Sequence, residues 1–240
     1  MNAEDLLALT ISLRLAALTT ALLILVCTPL AWWLATGRSH WRTPINALVA
    51  LPLVLPPTVL GFYLLVFMGP AGPLGRALAA VGLPSPAFSF SGLVIGSMLY
   101  SLPFVVQPLR DAFAGVGSRV LEVAATLRAS PFDRFVSVAL PLASRGFMTA
   151  AVLAFAHTLG EFGVVLMIGG NIPGRTQTAS IAIFNHAESL DYAGANRLSA
   201  ALVILALLLL LAVYAGRRER RDVGQQARQD VRQGPPWRWS

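Results

Sequence analysis

The sequence predicts an all-α integral membrane protein with about five transmembrane helices. Three observations carry that expectation. Of the 240 residues, 56% are hydrophobic and only 12% are charged, about half the charged share of an ordinary soluble domain. The apolar residues gather into five runs, 7–36, 45–69, 88–109, 147–170 and 198–216, each near or beyond the ~20 residues that cross a bilayer. The arginines fall unevenly between the connections: with the N-terminus outside, eleven lie on the inner side and three (Arg76, Arg175 and Arg197) on the outer. That bias puts the N-terminus outside and the C-terminus in the cytoplasm.

The first span follows "MNAEDLL", which is acidic where a cleavable signal would be basic, so the segment is expected to be retained. Arg14 lies about eight residues into it, where its long stem can snorkel outward. The single cysteine, Cys27, lies in the same span and excludes an intrachain disulfide. The second span carries Pro52, Pro56 and Pro57 and is expected to be bent or unwound there, with neighbouring helices holding the freed carbonyls. The third and fourth spans flank a polar connection, 110–146. His157, on the fourth, reads as a hydrogen-bonded packing residue. Residues 179–190 are too short and too polar to span and are expected as a helix at the outer interface. After the fifth span, residues 217–240 are rich in Arg, Gln and Pro and read as a disordered cytoplasmic tail. Glu219, Asp222 and Asp230 interleave its arginines, which argues for lipid headgroups and against nucleic acid as the partner.

Several function classes are excluded. The net charge of +7 is carried by arginine alone, and without a lysine the chain cannot form the GxxxxGK[ST] loop of a nucleotide-hydrolysing protein. No HExxH, GxSxG or CxxC is present, and three scattered histidines make no metal site. The chain is therefore expected not to be an enzyme. The halves show neither a fixed-period repeat nor an inverted one.

The central connection poses the main question, because it is polar where both flanks are apolar. It reads as two short amphipathic helices. The first runs from about Arg119 to Ala129, with Val120, Ala124 and Leu127 on one face. The second has Ser130 as N-cap, Pro131 at its first position and Asp133 three residues after the cap. Its apolar face is Phe132, Phe135, Val136 and Ala139, with nothing membrane-spanning to pack on. Such helices can lie flat in the headgroups or dock in the groove of a soluble partner, and the residues alone leave both open.

A family resemblance favours docking. Glu122, Ala124–Ala125, position 128, nine residues and then Val138-Ala139-Leu140-Pro141 resemble the cytoplasmic loop of ABC-importer permeases. That loop runs Glu-Ala-Ala, three residues, Gly, nine residues, Ile-x-Leu-Pro. Here an extra residue precedes the alanines, and Arg128 stands at the glycine position, where it resists the tight bend that glycine permits. "LPLVLPPTVLGFYLLVFMG" (51–69) and "FAHTLGEFGVVLMIGGNIPGRTQT" (155–178) resemble the second and fourth spans of the permease subunits of bacterial molybdate ABC transporters. The resemblance implies the type I ABC-importer architecture. It also implies a homodimer working with a separate ATPase subunit and an extracytoplasmic oxyanion-binding protein. Glu122, Ala124, Ala125, Arg128, Phe132, Phe135, Leu140 and Pro141 would couple to the ATPase. No cofactor is expected on this chain; ATP and Mg2+ belong to the partner. Sulfate or tungstate would serve the same machine, and an ATP-independent secondary transporter is the reading from another class.

Two outer features complete the candidate set. Pro173 and Gly174 in "IPGR" fit the central positions of a type II turn. Its amides, with Asn171, Arg175, Thr176 and Thr178, are pathway or gate candidates that could meet an oxyanion or an acidic docking surface. Glu161 lies about fifteen residues into the fourth span, roughly 22 Å across at ~1.5 Å per residue. A carboxylate that deep points to function. Because the cargo is an anion, the expected role is structural or gating, with the carboxyl accepting hydrogen bonds from the outer loop or a dimer partner.

Overall fold

A computed structural model describes residues 2–37, 39–208 and 210–211. The expected tail, 217–240, and the end of the fifth span lie outside them. Eleven helices are used below: α1 Ala3–Thr36, α2 Arg42–Ala50, α3 Pro57–Met68, α4 Pro73–Ala80, α5 Phe90–Val116, α6 Ser118–Thr126, α7 Pro131–Leu142, α8 Ser144–Gly160, α9 Gly163–Gly169, α10 Ala179–Glu188 and α11 Tyr192–Leu208. No strand occurs among the described residues. Residues up to Leu198 form one compact unit, and a second begins at Ser199 within α11.

Three segments are long and apolar enough to cross a membrane: α1, the stretch Pro57–Ala80 and α5. The pair α7 and α8 passes the same test together but bends by 68°. α11 is shorter and apolar over its described residues. The expected second span, 45–69, is thus not one helix. α2 tightens into a 3-10 turn at Leu51–Leu53 and α3 restarts at Pro57. Pro52, Pro56 and Pro57 supply no backbone donors, so a continuous ladder cannot form there. The third span exceeds expectation and runs to Val116, taking in Pro103 and Pro108.

α1, α5 and α8 make the core. α1 buries Leu15, Leu23, Cys27, Ala31 and Leu34, at intervals of three and four or their multiples, along one stripe. Around it pack Val105, Val106, Leu109 and Phe113 of α5 and Ala150 and Ala154 of α8. Small residues let the backbones approach: a Cβ on Gly146 would lie 2.2 Å from Ala112 Cβ. The exposed carbonyls ending α1 are held by Arg42, whose guanidinium donates to Leu34, Ala35 and Gly37.

Candidate functional site

Two places carry the chemistry: the loop helices α6 and α7, and a cavity where two broken spans meet.

α6 ends earlier than expected, at Thr126, because Arg128 turns left-handed with φ 62°. Arg128 N–H donates to the Ala125 carbonyl (3.0 Å) and Ala129 N–H to that of Ala124 (3.1 Å). This is the paired closure that usually has glycine at its turning residue. The bend is therefore made with arginine in place. Ser130 caps α7 as its sequence indicates, its Oγ accepting from Asp133 N–H at 3.1 Å. The middle of α7, Arg134–Ala139, winds in wider π-helical turns before Pro141.

Phe135 corrects the sequence reading. It does not stand free: its ring lies 5.3 Å from that of Trp32 and 6.0 Å from that of Phe113, within the core of α1 and α5. Leu140 packs on the same core, and Ala124 is half-buried. The two phenylalanines of α7 part company, and Phe132 remains 74% exposed. Val120, Val123, Leu127 (78% exposed) and Val136 are further exposed apolar residues of α6 and α7. Glu122, Ala125, Arg128 and Pro141 of the same loop are exposed as well.

The fourth span is likewise broken, not continuous as expected. α8 stops at Gly160, Glu161 is extended (φ −64°, ψ 134°), and α9 restarts at Gly163. The two breaks touch. A Cβ on Gly163 would lie 2.8 Å from Pro57 Cβ, and one on Gly61 would lie 2.8 Å from Met167 Cβ. Between them opens a cavity of about 550 Å³ lined by Pro57, Thr58, Tyr100, His157, Glu161 and neighbours. Ser180 Oγ of α10 donates to the Glu161 carbonyl, which the break has freed. The carboxyl itself meets no group of the outer loop among the described residues. Both its oxygens are buried, and the hydroxyl that interacts with them is that of Ser97 on α5. The loop thus holds the backbone of Glu161 and not its side chain.

The outer turn forms as read, with Gly174 at φ 69° and Arg175 N–H bonded to the Ile172 carbonyl at 3.1 Å. Thr176 and Gln177 N–H bond that same carbonyl. Thr176 Oγ1 is buried, donating to Gly169 O (2.7 Å) and accepting from Ile172 N–H (3.1 Å). Thr178 is buried with its hydroxyl on Ser180. Asn171 pairs its amide with Asn185 and Gln177. Of this group only Arg175 is exposed, and none lines the cavity. Closing the turn occupies the amides of Arg175, Thr176 and Gln177 and the Thr176 hydroxyl, and leaves the Arg175 guanidinium at the surface.

One cluster escaped the sequence reading. His186 of α10 sits between Asp5 Oδ1 at its Nε2 and Asp191 Oδ2 at its Nδ1, both at 2.9 Å. Partners 181 residues apart leave no spacing signal. The hydrogen bond His186 makes to the Asp5 carboxylate raises its pKa above the usual value, and the Gly194 N–H lowers that of Asp191. The carboxylates occupy opposite ring edges, and no metal-binding group converges among the described residues.

The family model described as "Binding-protein-dependent transport system inner membrane component" matches residues 27–218. The chain is 57% identical to the molybdenum transport system permease protein ModB of Azotobacter vinelandii, over 91% of this chain and 96% of that one. It is 39% identical to the protein of the same name from Mycobacterium bovis, over 92% of this chain and 81% of that one. Among solved structures, its fold resembles a chain of a bacterial ABC transporter involved in importing the acidic polysaccharide alginate. That likeness has a TM-score of 0.72 at 18% identity and covers 92% of this chain and 80% of the other.

Proposed function

The chain belongs to the binding-protein-dependent transport system inner membrane components, and from that premise we propose that it forms the membrane pathway of a molybdate ABC importer. It is a multi-pass inner-membrane permease and not itself an enzyme. The observation that carries the substrate is the 57% identity to a molybdenum permease along nearly its whole length.

The assembly we infer is a permease homodimer with an ATPase subunit, which binds ATP and Mg2+, and an extracytoplasmic oxyanion-binding protein. Residues 1–216 make the transmembrane domain, with the N-terminus outside, and 217–240 a cytoplasmic tail. The exposed apolar residues of α6 and α7 support their role as the ATPase-docking surface, since such a patch on a polar loop suits a helix-in-groove partner. The meeting of two broken spans at a cavity suits a pathway, because irregular backbone at membrane depth survives only inside protein or beside a water-filled space. Closure of the ATPase would bias two packings of these helices, opening the cavity to one side or the other.

The test is uptake into proteoliposomes holding permease, ATPase and binding protein, with molybdate, tungstate and sulfate in competition. The expected result is molybdate uptake that stops when ATP or the ATPase is withheld. Uptake that persists without ATP would mark a secondary transporter and overturn the reading. Sulfate outcompeting molybdate would overturn the substrate alone.

A further inference from the structure

The cavity holds a ring nitrogen that the fold orients and leaves unused. His157 stacks on Phe104, ring centroids 4.1 Å apart, and lies beside Tyr100 at 4.8 Å. Its Nδ1 is 2.9 Å from Ser101 Oγ, which is 3.0 Å from Thr158 Oγ1. Ser101 and Thr158 are buried, so each hydroxyl hydrogen needs an acceptor. Only one direction provides both. Thr158 donates to Ser101, and Ser101 donates to Nδ1. In reverse, the Thr158 hydrogen would have no acceptor among the described residues.

With Nδ1 accepting, the hydrogen of a neutral imidazole sits on Nε2. That nitrogen has no partner among the described residues, and His157 lines the cavity. Glu161 also lines the cavity, but both its carboxyl oxygens are buried. No arginine lines the cavity.

We propose that His157 contacts the transported ion: its Nε2–H, held in that tautomer by Ser101 and Thr158, donates a hydrogen bond to a tetrahedral oxyanion in transit. This rests on the importer reading above. A neutral donor suits a transit site, because conduction needs binding strong enough to admit the ion and weak enough to release it. An arginine there would hold a dianion too firmly.

The experiment uses the complete transporter in proteoliposomes and reads molybdate uptake and ATP hydrolysis on the same samples. His157→Phe keeps the aromatic stack and removes the donor. It should lower molybdate moved per ATP hydrolysed by about tenfold, the scale of one hydrogen bond to a charged group. Hydrolysis stimulated by the binding protein should stay within about twofold of wild type if the fold is intact. His157→Gln, which keeps a donor, should recover part of the loss. Ser101→Ala leaves the ring but frees its tautomer, and should lower the same ratio by about threefold. An unchanged ratio in both His157→Phe and Ser101→Ala overturns the proposal. So does an equal fall of uptake and hydrolysis, which would mean a packing role only. A wild-type transporter that moves none of molybdate, tungstate and sulfate overturns the importer reading and this site with it.

Discussion

Arg128 shows how a single residue can be legible in type and opaque in consequence. Its position at the family's glycine is visible in the sequence, and the strain follows from elementary sterics. Holding a side chain at φ 62° costs about 1 kcal/mol that glycine avoids. Arg128→Gly should therefore raise thermal stability in detergent by about that amount while uptake is unchanged. A severe loss of ATP-driven uptake at normal protein level would instead show that the guanidinium makes a required contact. Phe135 is the opposite case. Helical spacing assigns it to an apolar face but cannot say what covers that face. Trp32 and Phe113 lie about a hundred and about twenty residues away in sequence and meet it only through tertiary packing. Phe135→Asp should consequently destabilise the permease itself, by about 3 kcal/mol, with a lower melting temperature before any partner is added. If the melt is unaltered, the aromatic cluster is not holding α7.

At the scale of elements, the prolines and glycines differ in how much they disclose. Pro56 and Pro57 must interrupt a helix, because the donors are chemically absent, and the break before α3 was expected on that ground. Gly160 and Gly163 only weaken one. What turns that weakness into a break is the approach of α3, whose Pro57 occupies the space a Cβ on Gly163 would need. Gly163→Ala should push the two half-helices apart at a cost of about 2 kcal/mol and abolish uptake. Uptake at the wild-type rate would show that the close approach is dispensable. The loop helices were legible in their caps and less so in their packing, since the π-helical turns that separate Phe132 from Phe135 have no local sequence signal. Phe132, exposed and unpartnered, is the residue by which to test docking. Phe132→Asp should release the ATPase on purification in mild detergent while the permease melts normally. Retained ATPase would move the docking surface elsewhere.

Across the whole molecule, α10 acts as a clamp between the N-terminal end of α1 and the break between α8 and α9. At its start, Ala179 N–H donates to Ser12 Oγ of α1 at 2.8 Å. Seven residues later, His186 meets Asp5, which is seven residues before Ser12. Equal intervals in opposite directions mean that the two helices run antiparallel and are tied at both ends. Between those ties Ser180 holds the Glu161 carbonyl, so the register of α10 on α1 also positions the wall of the cavity. Of these three ties, the one between His186 and Asp5 can respond to pH. His186 is faced by Asp5 from α1 and by Asp191 from the following loop, with Arg197 acting on Asp191. Its pKa is raised in the folded protein, so its stabilising contribution is complete below the unfolded value of about 6.5 and is lost as pH rises through the higher folded value. Lowering the pH toward 6 should therefore tighten the clamp, and raising it toward 9 should loosen it. Hydrogen exchange of the α10 amides in the purified transporter would report this directly, as faster exchange at the alkaline end after correction for intrinsic rates. His186→Gln keeps a hydrogen-bonding side chain but removes the charge. It should cost about 2 kcal/mol at low pH and flatten the pH dependence. A wild-type protein whose corrected α10 exchange does not change between those limits would show that His186 is a fixed strut, and that Ser12 and Ser180 hold the outer helix without it.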